Sequence, residues 1–505
     1  DLLGPEWSLR TRVHEYGGGA LAANETRLVF SNDGDHRLYV LNAGGGDPCP
    51  LTPEGKFGFA DMTLDEGRGA LFCVREDHSR PGEAQNEIVR VSWSGKELAV
   101  VVTGRDFVAA PRLSPDGTKL AWIAWDHPNM PWDDSEVWLA DVDPAGELAH
   151  ARCVAGGRGE AVFQPEWSPG GTLHFISDRS GWWNLYRLEE DLPRPLCTME
   201  AEVGLPQWVL GMRTYAFASE NEILCTWGRA GVWELGRLDT QTGALVEIDT
   251  RFSGFDGLRV HDGHLSFTGA RSNGPSAVVR LNLAQDRVRI VRESGKALLD
   301  PADISIPETL EIPTPDGALT HAFFYPPTNT RFAAPTGERP PLRVKSHGGP
   351  TGSTRPDFDP RIQFWTTRGF AVVDVNYRGS TGYGRAYREA LKGNWGVHDV
   401  MDCETAALHL ARAGRVDGKR LTIQGASAGG YTTLAALAFT DTFACGASHY
   451  GIGDLAALAR DTHKFESRYL DALVAPWPEG EAVYAERSPL AHADRLSCPV
   501  IFFQG

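Results

Sequence analysis

The sequence predicts two domains of different class: a β-propeller built from repeated blades, and then a domain in which strands alternate with helices. Three observations lead to this prediction. Short apolar strand patterns recur six times, 42 to 53 residues apart, between residue 1 and about residue 290. Pro-rich sequence around residues 298–317 then ends the repeat. Beyond it, strand and helix patterns alternate, which is typical of a mostly parallel α/β sheet.

The repeats indicate blades because most of the apolar segments are followed by a second short strand, and several are preceded by a Pro- and Gly-containing turn. A period of about 40 to 50 residues built from several strands is typical of a β-propeller. A β-sandwich is the alternative, but it would not produce six regular periods. The six segments begin at Leu28, Leu71, Leu120, Leu173, Ile223 and Leu265. We therefore place the propeller at 1–295, a boundary at 296–318 and the second domain at 319–505.

Within the second domain, apolar runs and helical periodicity predict the individual elements. The predicted strands are Thr320–Tyr325, Leu342–Ser346, Ala371–Asn376, Leu421–Gln424, Cys445–His449 and Val500–Phe503. The predicted helices are Asp359–Arg368, Asp399–Ala413 and Tyr431–Ala438.

Charge and cysteine content exclude several classes of function. The formal net charge is −17 and the chain has no cluster of Lys and Arg, which argues against a nucleic-acid or anionic-membrane partner. Eight cysteines are scattered without C-x-x-C spacing, which argues against a zinc site or a disulfide framework and indicates reduced thiols in the cytoplasm. No apolar run approaches the roughly 18 residues of a membrane span.

The most informative motif is Gly425-Ala426-Ser427-Ala428-Gly429, which directly follows a predicted strand and precedes a predicted helix. Gly-x-Ser-x-Gly in this context predicts a nucleophile elbow, the strained turn that exposes a serine Oγ above an α/β-hydrolase sheet. Ser427 is then the nucleophile, and the backbone N–H of Ala428 is an oxyanion donor at a helix N-terminus. The alternative is chance occurrence of the pentapeptide in a chain with 56 glycines.

A second motif, His347-Gly348-Gly349-Pro350, follows the predicted strand that ends at Ser346. A His-Gly-Gly loop after an early strand contributes the other oxyanion donor in esterase-like members of this fold. Backbone N–H groups at Gly348 and Gly349 can approach a substrate closely because no side chain intervenes. The alternative is a simple Gly-Gly turn.

On these motifs the chain resembles the prolyl oligopeptidase family of serine peptidases, most closely its acylaminoacyl-peptidase and dipeptidyl-aminopeptidase-like branch. The resemblance covers essentially the whole chain. Its motifs are His347–Pro350, Asn376–Gly384, Asn394–Gly396 and Gln424–Tyr431 in the second domain, with His14–Gly19 and Ser177–Tyr186 in the propeller.

The resemblance implies a seven-bladed propeller over an α/β-hydrolase domain, with the active site in the cavity between them. It also implies catalysis on short peptides without a cofactor or a metal. Relatives such as prolyl oligopeptidase supply a tyrosine hydroxyl as second oxyanion donor, whereas this sequence has His347 at that place, as acylaminoacyl peptidases do. The second donor is then the Gly348-Gly349 backbone, and Tyr377 is structural.

The catalytic Asp and His are expected beyond Gly505. In relatives, a strand like the one at the end of this chain is followed by the catalytic Asp and then by the His, and 78 residues follow Ser427 here. We therefore expect sequence to be missing at both ends and the 505-residue chain to be inactive by itself. The main available stand-ins after Ser427 are His449, His463 and His492, with Asp441, Asp454, Asp461, Asp471 and Asp494.

Five residues are candidates for the substrate pocket. Tyr450, Ile452 and Leu455 follow the strand after the nucleophile and could line the pocket, or they are ordinary core. Glu15 lies beside a glycine run and could meet a substrate amino terminus, or it caps a propeller turn. His347 is included because it occupies the place of the family's tyrosine.

The expected function is a serine peptidase that cleaves short peptides near their N-terminus, of the acylaminoacyl or dipeptidyl type. One alternative is a small-molecule amide or ester hydrolase on the same fold, because function depends on the pocket rather than on the fold. Another is a non-catalytic propeller binding protein with a vestigial hydrolase domain. Short peptides are the expected partners, and a homo-oligomer is left open.

Overall fold

The computed structural model of the chain describes residues 3–296 and 299–504. Its first part is a β-propeller of six blades, each a four-stranded antiparallel sheet, as the sequence predicts. The strands of blades 1 to 3 are β1 (Leu21–Ala23), β2 (Arg27–Ser31), β3 (Leu38–Asn42), β4 (Cys49–Pro50), β5 (Phe57–Asp65), β6 (Ala70–Asp77), β7 (Gln85–Ser92), β8 (Leu98–Val102), β9 (Phe107–Leu113), β10 (Lys119–Trp125), β11 (Glu136–Val142) and β12 (Leu148–Gly156). Those of blades 4 to 6 are β13 (Val162–Trp167), β14 (Leu173–Ser177), β15 (Asn184–Glu189), β16 (Leu192–Cys197), β17 (Tyr215–Ser219), β18 (Glu222–Arg229), β19 (Val232–Asp239), β20 (Leu245–Glu247), β21 (Gly254–His261), β22 (His264–Arg271), β23 (Gly274–Asn282) and β24 (Arg287–Glu293).

Neighbouring blades are joined through their first strands. The Asp61 carboxylate accepts a hydrogen bond from the backbone N–H of Ala110, 2.9 Å away, which ties blade 2 to blade 3. The Gln164 side chain donates to the carbonyl oxygen of Tyr215 at 2.8 Å and ties blade 4 to blade 5. The apolar segments found in the sequence form the second strands, whose side chains are almost all buried because neighbouring blades pack against the faces of each sheet.

The second domain is built on one seven-stranded sheet with the order β25-β26-β28-β27-β29-β30-β31. Its strands are β25 (Glu308–Pro313), β26 (Leu319–Tyr325), β27 (Leu342–Ser346), β28 (Ala371–Asn376), β29 (Leu421–Ala426), β30 (Cys445–His449) and β31 (Val500–Phe503). Its α-helices are α1 (Pro360–Thr366), α2 (Arg385–Glu389), α3 (His398–Arg412), α4 (Ala428–Phe439), α5 (Leu455–Arg460), α6 (Tyr469–Leu473) and α7 (Glu481–Arg487). Short 3₁₀ helices span Pro301–Asp303, Lys464–Glu466 and Pro489–Arg495.

From β28 to β31 the strands run parallel, whereas β25 and β26 are antiparallel additions at one edge. The segment 296–318, predicted as a boundary, contributes β25 to this sheet. The carboxyl ends of β27, β29 and β30 meet at the same edge, which is where ligands bind in parallel α/β sheets. None of the helices in the described part of the chain is both long and apolar enough to cross a membrane.

One contact between the two domains is made by the short 3₁₀ helix Lys464–Glu466 of the second domain. The Lys464 ammonium donates to the carbonyl oxygens of Ala84 and Asp106 in the propeller, at 2.8 and 2.7 Å. Phe465 is almost fully buried among propeller aromatic rings, including that of Trp132. These contacts hold the propeller against the edge of the sheet at which the elbow motif lies.

Candidate active site

Ser427 lies in a tight turn between β29 and α4. Its backbone has φ 53° and ψ −122°, a conformation that is strained for a residue with a side chain. A Cβ at Gly425 would lie 2.1 Å from the carbonyl oxygen of Gly429, and a Cβ at Gly429 would lie 2.3 Å from that of Ser346. Only glycine fits at both positions, because strand and helix approach each other closely. The result is an exposed serine above a buried turn.

Two backbone segments that the sequence predicts as oxyanion donors lie close to Ser427. Ala428 is the first residue of α4, so its N–H has no partner within the helix and lies at the positive end of the helix dipole. The loop after β27 packs against the elbow: a Cβ at Gly348 would lie 3.6 Å from the Cβ of Ser427. Gly349, with φ 125°, continues that loop in a conformation that favours glycine. Ala428 and Gly348 therefore lie beside the serine.

The His347 side chain stabilises this loop through hydrogen bonds and a stacking contact. Its Nδ1 donates to the carbonyl oxygen of Gly348 at 2.8 Å, and its Nε2 lies 2.7 Å from the Ser380 hydroxyl. The ring stacks on Tyr377 at 4.3 Å between centroids, and the Tyr377 hydroxyl donates to the His347 carbonyl oxygen at 3.0 Å. Burial lowers the pKa of His347 to about 4, so the imidazole is neutral near pH 7.

The loop is also held from the propeller side. Trp208, in the segment between β16 and β17, donates from its indole Nε1 to the carbonyl oxygen of Thr351, 2.6 Å away. The Tyr469 hydroxyl, on α6, accepts a hydrogen bond from the Thr351 backbone N–H at 3.0 Å. It also donates to the Thr351 hydroxyl at 2.6 Å. Sequence reasoning did not identify Trp208 or Tyr469, because neither lies in a motif or in a periodic segment.

No imidazole contacts the Ser427 hydroxyl in the described part of the chain. His449 stacks on Phe503 with ring centroids 4.4 Å apart. His463 lies 3.9 Å from the Glu466 carboxylate. The Nε2 atom of His492 donates to the Glu486 carbonyl oxygen at 3.0 Å. Each of these rings is therefore engaged elsewhere.

The candidate pocket residues differ in their surroundings. Tyr450 is 60% exposed beside the elbow, and Ile452 packs at the edge of the core. Leu455 is fully buried at the start of α5. Glu15 forms an ion pair with Arg12. No cluster of three or more His, Cys, Asp or Glu side chains within residues 3–296 and 299–504 could hold a metal ion.

A buried carboxylate links the propeller to the second domain. Glu202 accepts hydrogen bonds from the backbone N–H of Trp183 at 2.8 Å and from that of Gly384 at 3.0 Å. Beside it, Asp178 and Arg388 form an ion pair of 2.6 Å across the same interface. Burial raises the pKa of Glu202 to about 7 despite the nearby Arg388.

The chain is similar to proteins of one known family. Residues 356–505 match the model of the prolyl oligopeptidase family. A solved puromycin hydrolase is 38% identical to this chain, with a TM-score of 0.94. The match covers 99% of this chain and 79% of the puromycin hydrolase. A puromycin-hydrolyzing peptidase of Mycobacterium tuberculosis is 40% identical, with a TM-score of 0.95, over the whole of this chain and 80% of its own length.

Curated relatives match over a shorter span. Dipeptidyl peptidase family member 6 of Caenorhabditis elegans is 36% identical over 172 residues, which are 32% of this chain and 23% of that protein. The chain thus spans about a quarter of the length of this curated relative.

Proposed function

The chain belongs to the prolyl oligopeptidase family, and we propose that it is a serine peptidase acting near the N-terminus of short peptides through an acyl-enzyme on Ser427. One observation carries this proposal. Ser427 is exposed on a strained elbow, with the Ala428 N–H and the Gly348-Gly349 loop beside it. The relatives' names, puromycin-hydrolyzing peptidase and dipeptidyl peptidase, support the peptidase assignment.

The proposed reaction has two steps. The Ser427 oxygen attacks the peptide carbonyl, its proton passes to a general base, and the negative charge develops on the carbonyl oxygen. The N–H of Ala428 and those of the Gly348-Gly349 loop stabilise that charge. The C–N bond then breaks, the amine leaves with the proton, and water hydrolyses the resulting ester.

The general base is the missing element of this mechanism. An imidazole is the usual base for a serine, and none contacts the Ser427 hydroxyl in the described residues. We therefore propose that the 505-residue chain provides the nucleophile and the oxyanion site but does not turn over peptides by itself.

A fluorophosphonate that labels activated serines tests this proposal. We expect it to label the product of the complete gene and not its Ser427→Ala variant. Absence of label from both proteins would overturn the assignment and favour a non-catalytic propeller protein, whereas equal labelling of the two would show that the reactive serine is not Ser427. Rapid peptide hydrolysis by the 505-residue chain alone would instead show that this chain does supply a general base to Ser427.

Puromycin hydrolysis is a second candidate, because solved structures that match over about four-fifths of their length are named for it. A panel of N-acetylated peptides, free dipeptidyl substrates, simple esters and puromycin separates the candidates. We expect cleavage of one of the peptide classes. Activity confined to esters would contradict the peptidase proposal, and activity confined to puromycin would favour the second candidate.

A further inference from the structure

A carboxylate lies mostly buried where the propeller meets the second domain. Glu466 is the last residue of the 3₁₀ helix Lys464–Glu466, and 16% of its side chain is exposed. Its Oε1 accepts a hydrogen bond of 2.5 Å from the hydroxyl of Tyr16, in the segment before β1. Its Oε2 accepts no hydrogen bond within the described residues, since the nearby Nε2 of His463 is 3.9 Å away. One carboxylate oxygen is therefore free to accept a further donor.

The charge of Glu466 is not neutralised by an ammonium or guanidinium group. Among the described residues no Lys or Arg forms an ion pair with it. The Lys464 ammonium, close to it in the chain, donates instead to two carbonyl oxygens of the propeller. Burial raises the pKa of Glu466, and the nearby Glu15, which is itself paired with Arg12, adds to the rise. A cation placed at the free oxygen would offset this destabilisation of the charged form.

Aromatic rings surround this carboxylate. The Tyr16 ring contacts those of Trp208, at 5.3 Å between centroids, and of Phe465, at 5.9 Å, both edge to face. Tyr16 is 44% exposed, so part of its ring is open to solvent. The faces of Trp and Tyr rings attract cations, and aromatic rings recur in sites that recognise ammonium ligands. Carboxylate and rings together therefore suit an ammonium group.

Trp208 connects this carboxylate to the candidate active site. Its ring contacts Tyr16, and its indole N–H donates to the Thr351 carbonyl oxygen. Thr351 closes the loop that carries Gly348, which lies beside Ser427. The Glu466 carboxylate and the proposed oxyanion loop therefore lie at the same interface between the domains.

We propose that Glu466, with the rings of Tyr16 and Trp208, binds the α-ammonium group of a peptide and so selects substrates with a free amino terminus. An ammonium group has three N–H donors, and its hydrogen bond to a carboxylate is charge-assisted. An N-acylated peptide offers an uncharged amide instead, which leaves the carboxylate without a counter-charge. Within the proposed function, this favours the dipeptidyl type over the acylaminoacyl type. The choice of a peptide as the ligand rests on that function, whereas the recognition of an ammonium group does not.

The experiment measures binding rather than catalysis, so that failure of the proposed function leaves it interpretable. Trialanine amide, with a free amino terminus, and N-acetyl-trialanine amide are titrated by calorimetry at pH 7 into the product of the complete gene carrying Ser427→Ala. We expect trialanine amide to bind at least about tenfold more tightly than the acetylated peptide. We expect Glu466→Gln to remove that difference. The Gln side chain can still accept the hydrogen bond from Tyr16, so the contact between the domains is kept.

Glu481→Gln is the matched control, because Glu481 is an exposed glutamate at the start of α7 and makes no ion pair among the described residues. It should leave the preference for the free amine unchanged. Equal affinity for the two peptides, or binding of neither, would overturn the proposal. A preference that survives Glu466→Gln and is lost in Glu15→Gln would assign the ammonium group to Glu15 instead. If methylammonium binds as tightly as trialanine amide and is lost with Glu466→Gln, the site takes small cations and the peptide assignment is wrong.

Discussion

The indole N–H of Trp208 donates a hydrogen bond of 2.6 Å to the carbonyl oxygen of Thr351. Trp208 belongs to the propeller, and Thr351 closes the loop that carries Gly348 and Gly349. The two domains therefore meet next to the loop that carries the proposed oxyanion donors. Trp208 also packs against Trp132, with ring centroids 4.5 Å apart, which fixes the indole in place.

Replacing Trp208 by Phe removes this hydrogen bond and should loosen the loop. A neutral hydrogen bond contributes about 0.5–1.5 kcal/mol, so the loop should open about 2 to 13 times more often. The backbone N–H of Thr381, which donates to the Gly352 carbonyl oxygen at 2.8 Å, reports this opening in a hydrogen-exchange measurement. Trp138→Phe is the control, since its indole donates at 2.8 Å to Glu136 within blade 3. Unchanged exchange at Thr381 in the Trp208 variant would contradict the prediction.

Replacing Gly425 by Ala should destabilise the second domain by about 3 kcal/mol or more. The new Cβ would lie 2.1 Å from the Gly429 carbonyl oxygen and 2.6 Å from the Ser346 hydroxyl, so strand and helix must separate. Gly453→Ala is the control in the same domain, because its Cβ would meet only the Leu490 side chain, at 3.8 Å. Urea unfolding measures both variants. Equal midpoints would show that the elbow tolerates a side chain.

Replacing Arg388 by Met should destabilise the domain interface by about 3–5 kcal/mol, because it leaves the Asp178 carboxylate buried without its closest partner. Both side chains are almost completely buried, and the guanidinium also lies over the Trp183 ring at 4.4 Å. Adding Asp178→Asn to the variant should recover part of the loss. Arg361→Gln removes a surface arginine and should cost less than about 1 kcal/mol. Calorimetric unfolding of the four proteins decides between these outcomes.

The sequence predicted several elements of this structure to the residue. Strands β27, β28, β30 and β31 have the predicted bounds. The elbow at Ser427 was predictable because strand, motif and helix are adjacent in the chain. Helices α2 and α5 to α7 were not predicted, because each is only about two turns long or shorter and too short to show a helical period in the sequence.

The sequence could not predict contacts between residues that are far apart in the chain. Trp208 and Thr351 are 143 positions apart, and no local pattern marks either of them as partners. Glu15 illustrates the same limit at short range, because its type allows either substrate binding or a structural ion pair, and the structure pairs it with Arg12. Its role at a substrate amino terminus stays a prediction.

Glu202 should make the stability of the protein depend on pH near neutrality. Burial raises its pKa from 4.5 to about 7, so between these values the folded state holds a proton that the unfolded state has released. A carboxyl group with a raised pKa therefore stabilises the folded state less and less as the pH rises through this window. Arg388 and the backbone N–H groups of Trp183 and Gly384 oppose the rise in the pKa, and the charge of Asp178 adds to it.

The variant Glu202→Gln is neutral at every pH and should remove this dependence. The stability of the wild type relative to the variant should fall by about 2–3 kcal/mol between pH 5 and pH 8. Urea unfolding at half-unit pH steps measures the difference, and titrating groups common to both proteins cancel. Glu247→Gln, at an exposed position on β20, should give a curve parallel to that of the wild type. A Glu202→Gln curve that is also parallel would mean that Glu202 is already ionised at pH 5 in the folded protein.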